Sequence, residues 1–199
     1  PFQYSNLGYL LYPGALKQKT GRPWQSWMDE LVFGPLGMRH SSARTSRLAG
    51  VSWAHERVGD RWRQLPPKRD QVMHAAGGLF VSAADMARFL NLQAGGASPI
   101  PESSIAASRR TDVVTRLDDG PMTCTGYTFG WIRCRAFGED ILTHSGEYAG
   151  QRSVMLVVPA RRAALAAMFN SDSMTGGLGQ QLAMIFAANL AGKTEGMPD

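Results

Sequence analysis

The chain has 199 residues, 44% hydrophobic and 19% charged, which supplies one sizeable core and excludes a disordered chain. Its formal net charge of +5 comes from 17 arginines and 4 lysines scattered along the sequence, not from one basic block, which argues against a nucleic-acid surface. No apolar run is long enough to span a bilayer, because Arg161 and Arg162, or Asn170 and Asp172, break the most apolar stretches.

The sequence opens on Pro1-Phe2-Gln3, without an initiator methionine or a basic-then-apolar leader, so the true N-terminus is expected in a segment outside it. After Tyr4-Ser5-Asn6, residues Leu7, Leu10, Leu11 and Ala15 share one helical face and Gly21 stops the helix, with a kink or short break expected at Pro13. From Pro23 to Val32, residues Trp24, Trp27, Met28, Leu31 and Val32 fall at helical spacing behind a first-turn proline, and Gly34-Pro35-Leu36-Gly37 then turns the chain. Periodicity fades from Arg39 to about Asp70, which predicts a long surface excursion around Trp53 and Trp62 that edges a site. Ser82-Ala83-Ala84-Asp85 is a capping pattern that opens a helix carrying Met86, Phe89 and Leu90 and closed by Gly95-Gly96.

Beyond Pro121 the period becomes two. Tyr127, Phe129 and Trp131, then Ile141-Leu142-Thr143, Val154 to Val158 and Ala163 to Phe169 read as four neighbouring strands joined by short turns. A last helix from about Gly177 to Leu190 offers Leu178, Leu182, Ile185 and Phe186 to cover them. The order predicts the α+β class in a single domain spanning 1–199, mainly helical and irregular over about 1–120 and an antiparallel sheet with a covering helix over about 121–199. Cys124 and Cys134 have no partners for a zinc site; they are read as independent thiols, with a bridge left open for an oxidising compartment. His40, His55 and His74 match no ligand spacing and are taken as structural or surface residues; Trp24, Trp27 and Trp131 are taken as core.

Tyr4-Ser5-Asn6-Leu7-Gly8-Tyr9, Pro35-Leu36-Gly37-Met38, Ala76-Gly77-Gly78-Leu79-Phe80, Gly130-Trp131 and His144-Ser145-Gly146 follow one another along nearly the whole chain. In that order they resemble the serine beta-lactamase-like superfamily, of the class C beta-lactamase, D-alanyl-D-alanine carboxypeptidase and esterase type. The resemblance implies a partial beta-lactamase/transpeptidase-like fold. It also implies a serine hydrolase acting through an acyl-enzyme on ester, D-alanyl peptide or beta-lactam carbonyls, with a small-molecule or peptide substrate and no metal or organic cofactor. A serine hydroxyl needs a base to take its proton. By the resemblance Tyr4 has that part, together with the lysine of a Ser-x-x-Lys motif, and a phenol serves as a base only if nearby cations lower its pKa.

Asn6 is implied to hold the substrate amide or that lysine; the competing reading is that Ser5 or Asn6 caps a helix. His144 is implied to be catalytic. Ser145, Gly146 and Glu147 are implied to bind substrate, the Glu147 amide receiving the oxyanion. His144-Ser145-Gly146 stands where related enzymes carry Lys-Thr-Gly. An imidazole is largely neutral at pH 7, so small esters and D-alanyl peptides rank above beta-lactams.

No Ser-x-x-Lys exists, since Gly14, Leu16, Leu65 and Leu190 stand three before the four lysines, and no Gly-x-Ser-x-Gly elbow replaces it. Two accounts remain: part of an enzyme whose serine lies upstream, which we favour, or a non-catalytic penicillin-fold binding or scaffold module. The first predicts an unprotected sheet edge and a half-open core, hence poor expression or self-association. Oligomeric state stays open, as does the compartment: periplasmic or extracellular by the resemblance, or cytoplasmic.

Overall fold

The computed structural model describes residues 2–66, 68–70, 74–110, 113–119, 122–171 and 177–193. Helix α1 (Asn6–Thr20) begins where the Ser5 hydroxyl accepts the Leu7 amide at 3.1 Å and ends at Gly21, whose φ of 71° suits a residue without Cβ. It runs unbroken through Pro13, contrary to the expected break; the bonds on either side carry the turn that lacks a donor. The face that packs is also not the expected one. Pro13 is buried and Leu16 joins the helical core, while Leu7, Leu10 and Leu11 are exposed.

Helix α2 (Trp24–Met28) widens into one π turn over Asp29–Phe33, closed by the Gly34 amide on the Asp29 carbonyl. That turn accompanies the packing of Phe33 against Trp24, Met38 and Ala43.

Strand β1 (Ser41–Ser42) is followed by an ordered hairpin of β2 (His55–Val58) and β3 (Arg61–Gln64), where the sequence predicts an irregular excursion. Gly59-Asp60 makes the turn, with Gly59 at φ 60°. The strands escaped the reading because they are too exposed to show apolar alternation. The hairpin is tied down at its base by the His55 amide on the Asn170 carbonyl and the Leu65 amide on the Ala54 carbonyl, both 2.8 Å.

Helix α3 (His74–Gly77) leads to β4 (Phe80–Val81), which pairs with β1, and then to α4 (Ala83–Gln93), capped by the Ser82 hydroxyl as its sequence predicts. Asp85 is fully buried in the first turn of α4 and accepts from the His40 amide at 2.7 Å and the Ser41 hydroxyl at 2.8 Å, with Arg88 beside it at 2.9 Å. Helix α5 (Glu102–Arg109), which the sequence reading did not mark, is short and buries only Ile105.

The second half is an antiparallel meander of β5 (Val113–Asp119), β6 (Met122–Tyr127), β7 (Ile132–Ala136), β8 (Glu139–Tyr148), β9 (Gln151–Val158) and β10 (Ala163–Phe169), six strands side by side in chain order. Alternate residues build two cores. Ile141, Leu156 and Val158 face α6 (Leu178–Leu190), while Leu142, Val157 and Trp131 face α4, Phe89 stacking on Trp131. Helix α6 covers the sheet as expected but seats Gly179, Ala183 and Ala187 on it, leaving Leu178 and Leu182 partly exposed. Small residues let the helix approach closely: a Cβ on Gly179 would lie 3.2 Å from Val154. Cys124 and Cys134 stand opposite each other in the β6–β7 register and form a disulfide, which corrects the reading of two free thiols. The chain reversal between those strands makes neighbours of residues that sequence spacing leaves unrelated.

Lys68 fastens the segment before α3. Its ammonium is buried, donates to the Gly77 carbonyl at 2.5 Å, and lies 5.1 Å from the Phe80 ring and 5.3 Å from the Tyr148 ring. Burial pulls its pKa from 10.5 down to about 8.

Two outcomes follow from these buried charges. Asp85→Ala removes the acceptor of a buried amide and hydroxyl and is expected to cost about 3 kcal/mol in urea unfolding. Lys68 has a folded pKa below its unfolded one, so between about pH 8 and 10.5 the unfolded chain binds more protons and stability rises with pH. The wild-type chain should therefore gain on Lys68→Met by up to about 3 kcal/mol across that window, with a constant difference below it.

Candidate active site

Strand β8 is longer than its neighbour β7. Residues Glu139 to Thr143 pair with β7 on one side, and β9 takes Leu142 to Tyr148 on the other, so His144 to Tyr148 have a strand partner on one side only among the described residues. Every second amide of that projecting stretch points to the open edge, and Ser145, Gly146 and Glu147 are exposed along it. A Cβ on Gly146 would stand 2.6 Å from the Ser153 hydroxyl of its cross-strand partner, so glycine leaves that hydroxyl room over the strand. The Glu147 carboxylate is occupied by Arg152, its partner on β9.

The first residues of the chain reach the same place. Tyr4 stands in the extended segment before α1, and its ring centre lies 6.0 Å from that of His144. Its hydroxyl donates to the Asn6 Oδ1 at 3.3 Å. Ser5 caps α1 as the competing reading has it, and this coexists with the approach of Tyr4 to His144. Tyr4, Asn6 and the β8 projection are thus brought together.

Two residues to which the sequence reading gives no site role complete the cluster. Tyr127, at the end of β6, is buried, with its hydroxyl 3.2 Å from His144 Nε2, its ring 5.9 Å from Tyr4, and Phe2 stacked on it at 5.3 Å. Tyr9, on the first turn of α1, acts on it through a side-chain hydrogen bond. Tyr127 had been read as an alternating strand residue; the tyrosines at 4 and 9 were the only available signal, and their meeting with it is a tertiary event.

The site is polar and aromatic. Burial, then the neighbouring Tyr9, pushes the Tyr4 phenol up. Burial pushes Tyr127 up strongly as well, with Tyr9 adding to it. Burial holds His144 below its ordinary value, only partly opposed by the Ser145 carbonyl. Two phenols and a neutral imidazole are therefore the protonation state near pH 7. Within the cluster the Tyr4 hydroxyl is a hydrogen-bond donor to Asn6.

The β2–β3 hairpin and Lys68 border the far end of β8. A Cβ on Gly150, in the β8–β9 turn, would lie 2.7 Å from the Leu65 side chain and 2.9 Å from the His55 carbonyl, and Lys68 sits beside Tyr148. The excursion thus packs against the end of β8 and the turn that follows it. Trp53 and Trp62 are half exposed on it, while Trp24 and Trp131 are core and the Trp27 ring lies under the Arg22 guanidinium. His40 gives its amide to Asp85 and His55 sits on the hairpin; the His74 side chain falls outside the described residues. Among the described residues no group of three or more His, Cys, Asp and Glu is placed to hold a metal ion, and no helix is long and apolar enough to cross a membrane.

A family model described as Beta-lactamase matches residues 1–188. Penicillin-binding protein 4 of Amycolatopsis lactamdurans is 25% identical over 182 residues, which cover 86% of this chain and 48% of that protein. A D-aminopeptidase of Gluconobacter oxydans is 28% identical over 178 residues, 86% of this chain and 32% of that protein. Among solved structures, the octameric penicillin-binding protein homologue from Pyrococcus abyssi matches with a TM-score of 0.80 at 24% identity, covering 97% of this chain and 43% of that one. That likeness bears on the fold. The chain spans less than half the length of each of these proteins.

Proposed function

The chain belongs to the beta-lactamase family, and from that premise we propose that it forms the tyrosine-and-histidine side of the active site of a serine hydrolase. The observation that supports this most is the approach of Tyr4 to His144, 6.0 Å between ring centres, at the open edge of β8. The attacking serine and its lysine come from a part of the protein outside these 199 residues, because no Ser-x-x-Lys occurs within them.

In that reaction the serine oxygen attacks the substrate carbonyl carbon and its proton passes to the base. The bond to the leaving alcohol or amine breaks as that group takes up the proton, and water then cleaves the acyl-serine ester. Tyr4 can serve as the base only once a cation is brought beside it, since its surroundings within this chain hold its pKa up. The incoming lysine supplies that cation. The Glu147 amide on the β8 edge receives the oxyanion, and Ser145, Gly146 and Asn6 line the substrate.

A neutral His144 stands where related enzymes carry a cationic lysine, so we place small esters and D-alanyl peptides ahead of beta-lactams. A non-catalytic penicillin-fold binding or scaffold module is the second reading. Within this chain the raised Tyr4 pKa is compatible with it.

Labelling of the full-length protein with a fluorophosphonate or a fluorescent penicillin separates the two: a single modified serine is expected. Tyr4→Phe should retain the fold and lower kcat/KM by roughly 10²- to 10⁴-fold. Absence of any covalent label on a folded full-length protein establishes the binding module instead.

A further inference from the structure

His144 has both ring nitrogens engaged. Nδ1 lies 2.7 Å from the Ser145 carbonyl oxygen, and a carbonyl can only accept, so Nδ1 carries the proton. Nε2 is then a lone pair in the neutral ring, and the group facing it at 3.2 Å is the Tyr127 hydroxyl. Tyr127 is buried, stacked by Phe2 and edged by Tyr4, so its ring is fixed in place. The hydrogen bond with Tyr9 favours the protonated form of the same phenol, as burial does.

We propose that Tyr127 is a positioning residue: by donating to Nε2 it holds His144 as the neutral ring protonated on Nδ1 and fixes the ring's orientation beside Tyr4. The inference deepens the hydrolase reading, since this ring is the one expected to face substrate. The titratable groups recorded around the imidazole are Tyr4, Tyr9 and Tyr127; the Tyr4 and Tyr127 phenols are both pushed up, and the nearby Arg152 on β9 is paired with Glu147. Burial favours the neutral ring and the protonated phenol together. A proton arriving at Nε2 must displace the Tyr127 donor, so the end of β8 resists becoming a cation. Its neighbours in substrate are then uncharged polar groups and not a free carboxylate.

The test is NMR of the full-length protein labelled with 15N-histidine, which reads tautomer and titration without requiring turnover. In the wild-type protein His144 should be the Nδ1–H tautomer at pH 7, with a midpoint below 6.5. In Tyr127→Phe, which keeps the ring and its stacking on Phe2, the midpoint should rise by roughly one pH unit and the Nδ1–H tautomer should no longer be held alone. An unchanged tautomer and midpoint in folded Tyr127→Phe overturns the proposal. Should that variant fail to fold, the wild-type spectrum decides, because an Nε2–H ring or an imidazolium at pH 7 excludes a donated bond from Tyr127. Loss of the hydrolase reading through absent serine labelling leaves this result standing, so the two failures are distinguishable.

Discussion

The site rests on a difference in strand length. Strand β8 extends past the end of β7, so among the described residues His144 to Tyr148 have no strand partner on one side while β9 holds the other. An interior strand is otherwise fully committed to its neighbours and has no amide to offer a substrate. Here the sheet both fixes the backbone and exposes it. The open groups are anchored by the same layer of Leu142 and Val157 that packs on α4.

Around that edge the molecule gathers groups that favour neutrality. Three tyrosines and one histidine lie close together, each phenol with a shifted pKa is raised and the imidazole lowered, and burial is the leading cause in every case. Low-dielectric surroundings penalise charge and strengthen the hydrogen bonds that remain. Such a cluster orients groups well and transfers protons poorly until a cation joins it. Among the described residues, charge at this edge is confined to the mutually paired Arg152 and Glu147, while Asp85 at the start of α4 and Lys68 under the loop are bonded away from it.

The segment between β1 and α3 packs against the far end of the projecting strand. Its hairpin is exposed on both faces yet ordered, because backbone bonds to Ala54 and Asn170 hold its base and Leu65 packs against the bare backbone of Gly150. Lys68 holds the other end, its ammonium on the Gly77 carbonyl between two aromatic faces. The glycines of Ala76-Gly77-Gly78 thus sit at an anchored junction.

By itself the sequence determined the class and order of the elements, wherever burial was one-sided enough to leave a period. The capped α4 and the strands through Ile141, Val157 and Leu165 are visible because alternate or every third and fourth residues are apolar. It also carried Tyr4, Asn6 and His144-Ser145-Gly146, whose short motifs survive without context. The tertiary structure decided the rest. The exposed β2–β3 hairpin has no apolar alternation to read, and the face of α1 and the seat of α6 were set by what packs against them, Pro13 and small residues in place of leucines. The Cys124–Cys134 bond and the Tyr127–His144 contact join residues 10 and 17 apart in sequence that only strand register makes neighbours. Periodicity reports how much of an element is buried; which side chain it meets is settled when the elements assemble.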